Sequence, residues 1–122
     1  MPDNILVIEY EPKYTDRVRQ ALAGLPLTAS FAKDAEEALR SLASADPALV
    51  VLSSVIPKGS AGDIIQAVRE RSLTTPILLT ISGYSGKEPA EDATRFGVSD
   101  ILAKPYTEAD FLAEVGDGFF DL

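Results

Sequence analysis

The residues best suited to chemistry in this chain are hydroxyl, carboxylate and ammonium groups that directly follow short apolar segments. They come from four separate parts of the chain: Glu9, Tyr10, Glu11, Ser53, Ser54, Ser82 and Lys104. Carboxylates can hold a hard cation such as Mg²⁺, a hydroxyl can act as a nucleophile once a base removes its proton, and an ammonium group can stabilise an anion.

The amino-acid composition excludes several kinds of catalytic and binding site. The 122 residues include no histidine and no cysteine, which removes the usual general base, thiolate metal sites and disulfides. The 19 acidic residues outnumber the 11 basic ones, and the resulting net charge of −8 repels phosphate backbones. We therefore expect no direct nucleic-acid binding. Such a surface suits a partner with a basic patch, although solubility alone also explains it.

The length predicts a single domain over residues 1–122. No apolar run approaches the ~20 residues that a membrane span needs, and the first residues lack a signal-peptide pattern. We therefore expect no membrane association and take a cytoplasmic location as the default.

Short apolar runs alternate with amphipathic stretches along the chain. The runs predict five strands, near residues 5–8, 27–31, 48–53, 77–81 and 99–103. The stretches between and after them predict five helices. Pro12 suits the start of the first, Asp34 is the N-cap of the second, and the fourth covers roughly residues 88–96. Thr107 and Asp110 form a capping box for the last helix. Strict alternation predicts an α/β fold, a doubly wound parallel sheet covered by helices on both faces.

In such a sheet, sites form outside the carboxyl ends of the strands. The polar residues that follow the first, third, fourth and fifth strands should therefore converge on one edge. Other catalytic patterns are absent: the chain has no G-x-G-x-x-G, no P-loop glycine spacing, and no histidine for a triad.

Several segments, taken in order, resemble one known family. The bacterial response-regulator receiver domain has segments similar to residues 5–12, 55–62, 75–79, 82–84 and 97–106. Among receivers, these segments most resemble those of hybrid histidine kinases. The resemblance implies a flavodoxin-like (βα)5 fold with strand order 2-1-3-4-5. In that family an aspartate accepts a phosphoryl group with the help of Mg²⁺, a lysine and a hydroxyl.

The chain departs from this pattern at the centre of the site. Ser53 stands four places before Pro57, where the family has its acceptor aspartate, and Tyr10 replaces one of two adjacent acidic residues. A neutral hydroxyl without a base is a poor nucleophile. Only Glu9 and Glu11 remain as weak metal candidates. We therefore expect no cofactor, with Mg²⁺ binding weak or absent, and no catalytic residue.

Three further positions follow from the resemblance. Lys104 is retained, either paired with Glu9 or Glu11 or simply shaping the loop, and a cis peptide is expected between it and Pro105. Counting back from Lys104 selects Ser82 as the family's hydroxyl residue, whereas counting forward from Thr75-Pro76 selects Ile81; we prefer Ser82. Ile101 occupies the position of the switch aromatic.

These observations favour a degenerate receiver: a non-enzymatic module of two-component phosphorelay signalling that acts by protein–protein interaction. The expected partner is a signalling protein such as a histidine kinase or its adjoining domains, and a homodimer is left open. Binding through the fourth and fifth helices would make Phe96, Tyr106 and Phe111 either contacts or core. Two alternatives stay open: phosphorylation at a non-aspartate residue, such as Ser53 or Ser54, and a flavodoxin-like small-ligand binder.

Overall fold

Strands and helices alternate throughout the computed structural model, which describes residues 3–84 and 89–118. In chain order the elements are β1 (Asp3–Ile8), α1 (Pro12–Leu22), β2 (Leu27–Ala32), α2 (Ala35–Ser44), β3 (Leu49–Ser53), α3 (Ala61–Arg71), β4 (Ile77–Ser82), α4 (Pro89–Phe96), β5 (Asp100–Lys104) and α5 (Glu108–Gly118). The predicted alternation of five strands and five helices is confirmed.

The five strands form one sheet in the order β2-β1-β3-β4-β5, and every neighbouring pair is parallel. This is the predicted order of the flavodoxin-like fold. Helices α1 and α5 pack on one face of the sheet, whereas α2, α3 and α4 pack on the other. Because both faces are covered, the central strands are nearly continuous apolar runs.

The centre of the sheet supplies most of the core. All five residues of β3 are buried, and the alternating side chains of β1, β3 and β4 feed the two apolar clusters in turn. Burial of one branched aliphatic side chain stabilises the fold by about 1.5–3 kcal/mol. The strand that carries Ser53 is therefore held firmly on both sides.

Side-chain caps start several helices where the sequence indicates them. The carboxylate of Asp34 accepts a 2.8 Å hydrogen bond from the backbone N–H three residues later, at the start of α2. Thr107 and Asp110 form the predicted capping box of α5. A second box, between Ser60 and Asp63, begins α3 and was not predicted. These bonds satisfy N–H groups that a helix leaves unpaired in its first turn.

The bounds of all five strands differ from the sequence-based expectation by one or two residues. β4 includes Ser82 as its last residue, and β5 runs one residue later than expected, so that Lys104 ends the strand. Helix α1 ends at Leu22. The expected start of α4 near Glu88 lies outside the described residues. The shift matters for the site, because Ser82 and Lys104 are adjacent strand residues in register.

Candidate functional site

Most of the buried polar side chains lie together at one edge of the sheet. The described part of the chain contains five such residues: Glu9, Asp34, Ser53, Thr80 and Lys104. Asp34 caps α2, whereas the other four lie at or near the carboxyl ends of β1, β3, β4 and β5. Parallel strands end at the same edge, which brings together residues that are far apart in the chain.

The ammonium group of Lys104 is the centre of this cluster. Its Nζ atom lies 2.7 Å from Oε1 of Glu9 and 3.6 Å from Oε1 of Glu11, and it donates a 3.2 Å hydrogen bond to Oγ of Ser53. The Lys104 and Glu9 side chains are only 3% and 4% exposed. The same Nζ lies 4.5 Å from the ring centre of Tyr14, within range of a cation–π interaction.

Both oxygens of the Glu9 carboxylate have partners. Oε1 pairs with Lys104, and Oε2 accepts backbone hydrogen bonds of 2.9 Å from Tyr10 and 3.1 Å from Glu11. A buried carboxylate is tolerated only when it is paired and hydrogen-bonded in this way. Glu9 therefore tightens the turn between β1 and α1 and holds the ammonium group at the sheet edge.

The Ser53 hydroxyl is enclosed and oriented. Its residue is 2% exposed, and its Oγ donates a 3.0 Å hydrogen bond to the carbonyl of Val55 while accepting one from Lys104. The proton thus points to the backbone. The Glu9 carboxylate, which shares the Lys104 ammonium group with Ser53, is already paired with that group. No group in this arrangement is placed to act as the base that a serine nucleophile needs.

The register of β4 decides which hydroxyl faces the cluster. Side chains alternate along a strand. Ile81 packs with the apolar cluster on the α2–α4 face, which leaves Ser82 on the same face as Ser53 and Lys104. Thr80, which was not predicted as a site residue, is 1% exposed and lies beside Ser53 in register. Its signal was available: a polar residue in an apolar strand, two places before Ser82.

Two other sequence-selected residues do not join the cluster. Tyr10 is 42% exposed and lines a separate cleft against the start of α1. Ile101 is buried with the α2–α4 cluster, on the sheet face opposite Lys104. Glu11 does reach the ammonium group, although its side chain remains 31% exposed.

A chain of aromatic contacts extends from the Lys104 ammonium group through Tyr14. The rings of Tyr14 and Tyr106 lie 4.9 Å apart, and Phe111 stacks against Tyr106 at 6.0 Å. Burial raises the pKa of the Tyr106 phenol above its ordinary value, and the nearby negative charge of Glu9 raises that pKa further. Tyr106 and Phe111 are therefore core residues, whereas Phe96 is 41% exposed. The Lys104–Pro105 peptide is cis, as expected.

A Mg²⁺ ion requires several oxygen ligands in near-octahedral geometry. Here both Glu9 oxygens are already bonded, Ser53 offers a neutral hydroxyl, and the Lys104 ammonium group repels a second cation. Among the described residues, no group of three or more metal-ligating side chains is gathered in one place. The residues present do not fit a Mg²⁺ ion.

None of the helices within residues 3–84 and 89–118 combines the length and apolar character that crossing a bilayer requires.

Comparison with known families gives one match over most of the chain. Residues 5–116 match the family of the response regulator receiver domain. Among curated proteins, the chain is 28% identical over 111 residues to "Regulator of RpoS" of Escherichia coli (strain K12), covering 91% of this chain and 33% of that protein. It is 26% identical over 113 residues to "Acid tolerance regulatory protein ActR" of Rhizobium meliloti (strain 1021), covering 92% and 58%. The chain thus spans about a third to somewhat over half of these relatives.

Solved structures share the same fold. The chemotaxis response regulator CheY4 of Vibrio cholerae superimposes with a TM-score of 0.84 at 19% identity, over 96% of this chain and 98% of that one. The Francisella response regulator 1452 receiver domain gives 0.81 at 18% identity, over 96% of both chains.

Proposed function

Since the chain belongs to the response regulator receiver domain family, we propose that it is an atypical receiver of two-component signal transduction, one that is not phosphorylated and acts by protein–protein interaction. Receiver domains are generally non-enzymatic signalling modules that interact with partners such as kinases. In this chain Ser53 stands in place of the acceptor carboxylate, and partner binding is the part of that role that the proposal retains.

The observation that carries the proposal is the position of the Lys104 ammonium group. It lies between the Glu9 carboxylate and the Ser53 hydroxyl, where it offsets the charge of Glu9 from within the pocket. Phosphoryl transfer to a receiver needs an anionic nucleophile and a cation that offsets the charge of the incoming group. This pocket has a neutral, nearly inaccessible hydroxyl and a cation that is already paired.

We propose that the output of the domain is binding of a signalling protein, such as a histidine kinase or an adjoining domain of the same polypeptide. Attachment to a hybrid histidine kinase and a cytoplasmic location remain predictions. The exposed Phe96 on α4 is a suitable contact residue. Of the aromatic residues predicted as contacts or core, it is the one with substantial exposed surface.

The test is incubation with acetyl phosphate and Mg²⁺, followed by intact mass measurement. A receiver domain that retains its acceptor aspartate serves as the positive control. We expect no added phosphate on this chain under conditions that modify the control. A phosphate mapped to Ser53 or Ser54 would replace the proposal with the alternative of phosphorylation at a serine.

Beryllofluoride provides a second readout, because it mimics a phosphoryl group bound to a carboxylate. In two-dimensional NMR spectra we expect no shifts of the amides around Ser53 on adding beryllofluoride with Mg²⁺. Saturable shifts there would contradict the proposal even if no covalent product accumulated.

A further inference from the structure

Tyr10, which stands at a position where receivers normally carry an acidic residue, forms a wall of a separate cleft. The cleft has a volume of about 390 Å³ and lies between the start of α1 and the turn from β2 to α2. Its lining residues are Glu9, Tyr10, Pro12, Thr15, Asp16, Phe31, Ala32, Lys33 and Glu37. Ser53 and Lys104 are not among them.

One carboxylate oxygen in this cleft lacks a hydrogen-bond donor. Oε2 of Glu37 is buried and accepts no hydrogen bond from any described residue. Its nearest cation is Nζ of Lys33, at 4.0 Å, on a side chain that is 78% exposed. A buried acceptor without a donor is unfavourable, so a donor that reaches it after a rotation of the Glu37 side chain, which is 34% exposed, would stabilise it.

The cleft also presents aromatic surface. Tyr10 is 42% exposed, and the half-buried Phe31 also lines the cleft. The guanidinium carbon of Arg19 already lies 4.2 Å from the ring centre of Phe31. Arg19 does not line the cleft, but its contact shows that an aromatic residue of the cleft wall accepts a guanidinium group, and Tyr10 offers a ring surface of the same kind.

The charges of the cleft favour a cation. Glu9 is neutralised by Lys104 from the other side, which leaves the carboxylates of Asp16 and Glu37 against the single ammonium group of Lys33. The protein as a whole carries a net charge of −8. A basic partner would be drawn toward this surface and would find in Glu37 an acceptor without a hydrogen-bond donor.

We infer that this cleft binds an arginine side chain of a partner protein. A guanidinium group is planar and donates several hydrogen bonds, so it can stack on Tyr10 and bond the Glu37 carboxylate at the same time. An ammonium group lacks the flat surface for stacking. The inference rests on the proposed function only in assuming a protein partner; it does not depend on the chemistry at Ser53.

The test is an NMR titration of the ¹⁵N-labelled protein with a capped glycine-arginine-glycine peptide. The matched control peptide carries citrulline, which has the same shape without the charge. We expect saturable shifts of the amides of Tyr10, Asp16 and Glu37 with the arginine peptide, at least threefold weaker binding of a lysine peptide, and no saturable shifts with citrulline.

Two variants test the cleft itself. Glu37→Gln removes the charge with little change of shape, and Tyr10→Leu removes the aromatic ring. Each should weaken binding of the arginine peptide roughly threefold to fivefold, because each contact contributes modestly at a partly exposed site. Glu70→Gln, on an exposed position of α3, is the matched control and should leave binding unchanged.

Equal binding of the citrulline peptide, or equal loss in the Glu70→Gln protein, would overturn the inference. Shifts confined to other surfaces would overturn it as well. Either result would leave the proposed absence of phosphorylation intact, because that proposal is tested by mass measurement and beryllofluoride rather than by peptide binding.

Discussion

Replacement of Lys104 by methionine removes the cation from the buried cluster while keeping an apolar stem of similar length. The Glu9 carboxylate, 4% exposed, then loses a partner at 2.7 Å, and Ser53 loses a hydrogen-bond donor at 3.2 Å. Glu11, 3.6 Å from the same ammonium group, also loses its offsetting charge. Breaking a buried ion pair in this way costs about 3–5 kcal/mol.

We expect a loss near the lower end of that range, about 3 kcal/mol, because two backbone N–H groups still bond Oε2 of Glu9. The measurement is urea unfolding at pH 7, followed by circular dichroism. With an m-value of about 1.5–2 kcal/mol per M, the midpoint should fall by about 1.5–2 M.

Two controls separate charge from packing. Lys33→Met changes a lysine that is 78% exposed, whose single ion pair spans 4.0 Å, and should alter stability by at most ~0.5 kcal/mol. The double variant Glu9→Gln/Lys104→Met removes both charges and should recover at least half of the loss. Equally mild effects of Lys104→Met and Lys33→Met would refute a strong buried ion pair at Lys104, and so would a double variant as unstable as the sum of its parts.

Three other variants give independent checks. Ser53→Asp adds a carboxylate to the cluster and should strengthen Mg²⁺ binding at least ~10-fold in calorimetry; Ser54→Asp is the control, and an equal gain there would mean that the site is misplaced. The buried Tyr106 phenol keeps its proton to a higher pH than the same phenol in the unfolded chain, so it contributes stability that is fully present below pH ~10 and is lost as the pH rises above that value. Tyr106→Phe should remove this contribution and its pH dependence. Unfolding free energies at pH 9–11 that fall equally steeply in both proteins would contradict this. Gly59→Ala would place a Cβ 2.6 Å from a side chain at the start of α2 and should lower the free energy of unfolding by about 1–3 kcal/mol. Gly62→Ala, whose Cβ would have its nearest atom at 3.6 Å, should be neutral or stabilising. Equal melting temperatures of the two variants would argue against the clash.

The positions of the cluster residues show which parts of the candidate site could be predicted from the sequence. Apolar runs placed Ser53 and Lys104 at the ends of buried strands, and a parallel sheet then required that they meet. Thr80 was missed although its strand was recognised, because the expectation that sites form beyond the strand ends favoured Ser82 over a polar residue inside the strand. One residue of register decides which face each residue occupies, and the structure assigns Thr80 and Ser82 to the face of Ser53.

Tyr10 illustrates the opposite case. Its place next to Glu9 suggested a member of the same cluster, but the chain turns after β1 and leaves its ring half exposed in a different cleft. The turn is tightened by backbone hydrogen bonds to Glu9 that no residue pattern predicts. Phe96, Tyr106 and Phe111 were likewise indistinguishable as contacts or core until their burial was known.

The order of apolar and amphipathic segments was enough to predict the alternating parallel sheet, because strand and helix periodicities are local properties of the chain. The identity of Ser53 was enough to predict that an acceptor carboxylate is missing. Tertiary structure alone decided that the Lys104 ammonium group meets Glu9, Glu11 and Ser53 at once, and that Glu37 keeps an oxygen without a donor. Distances between residues 50 or more positions apart depend on register and packing, which no local pattern encodes.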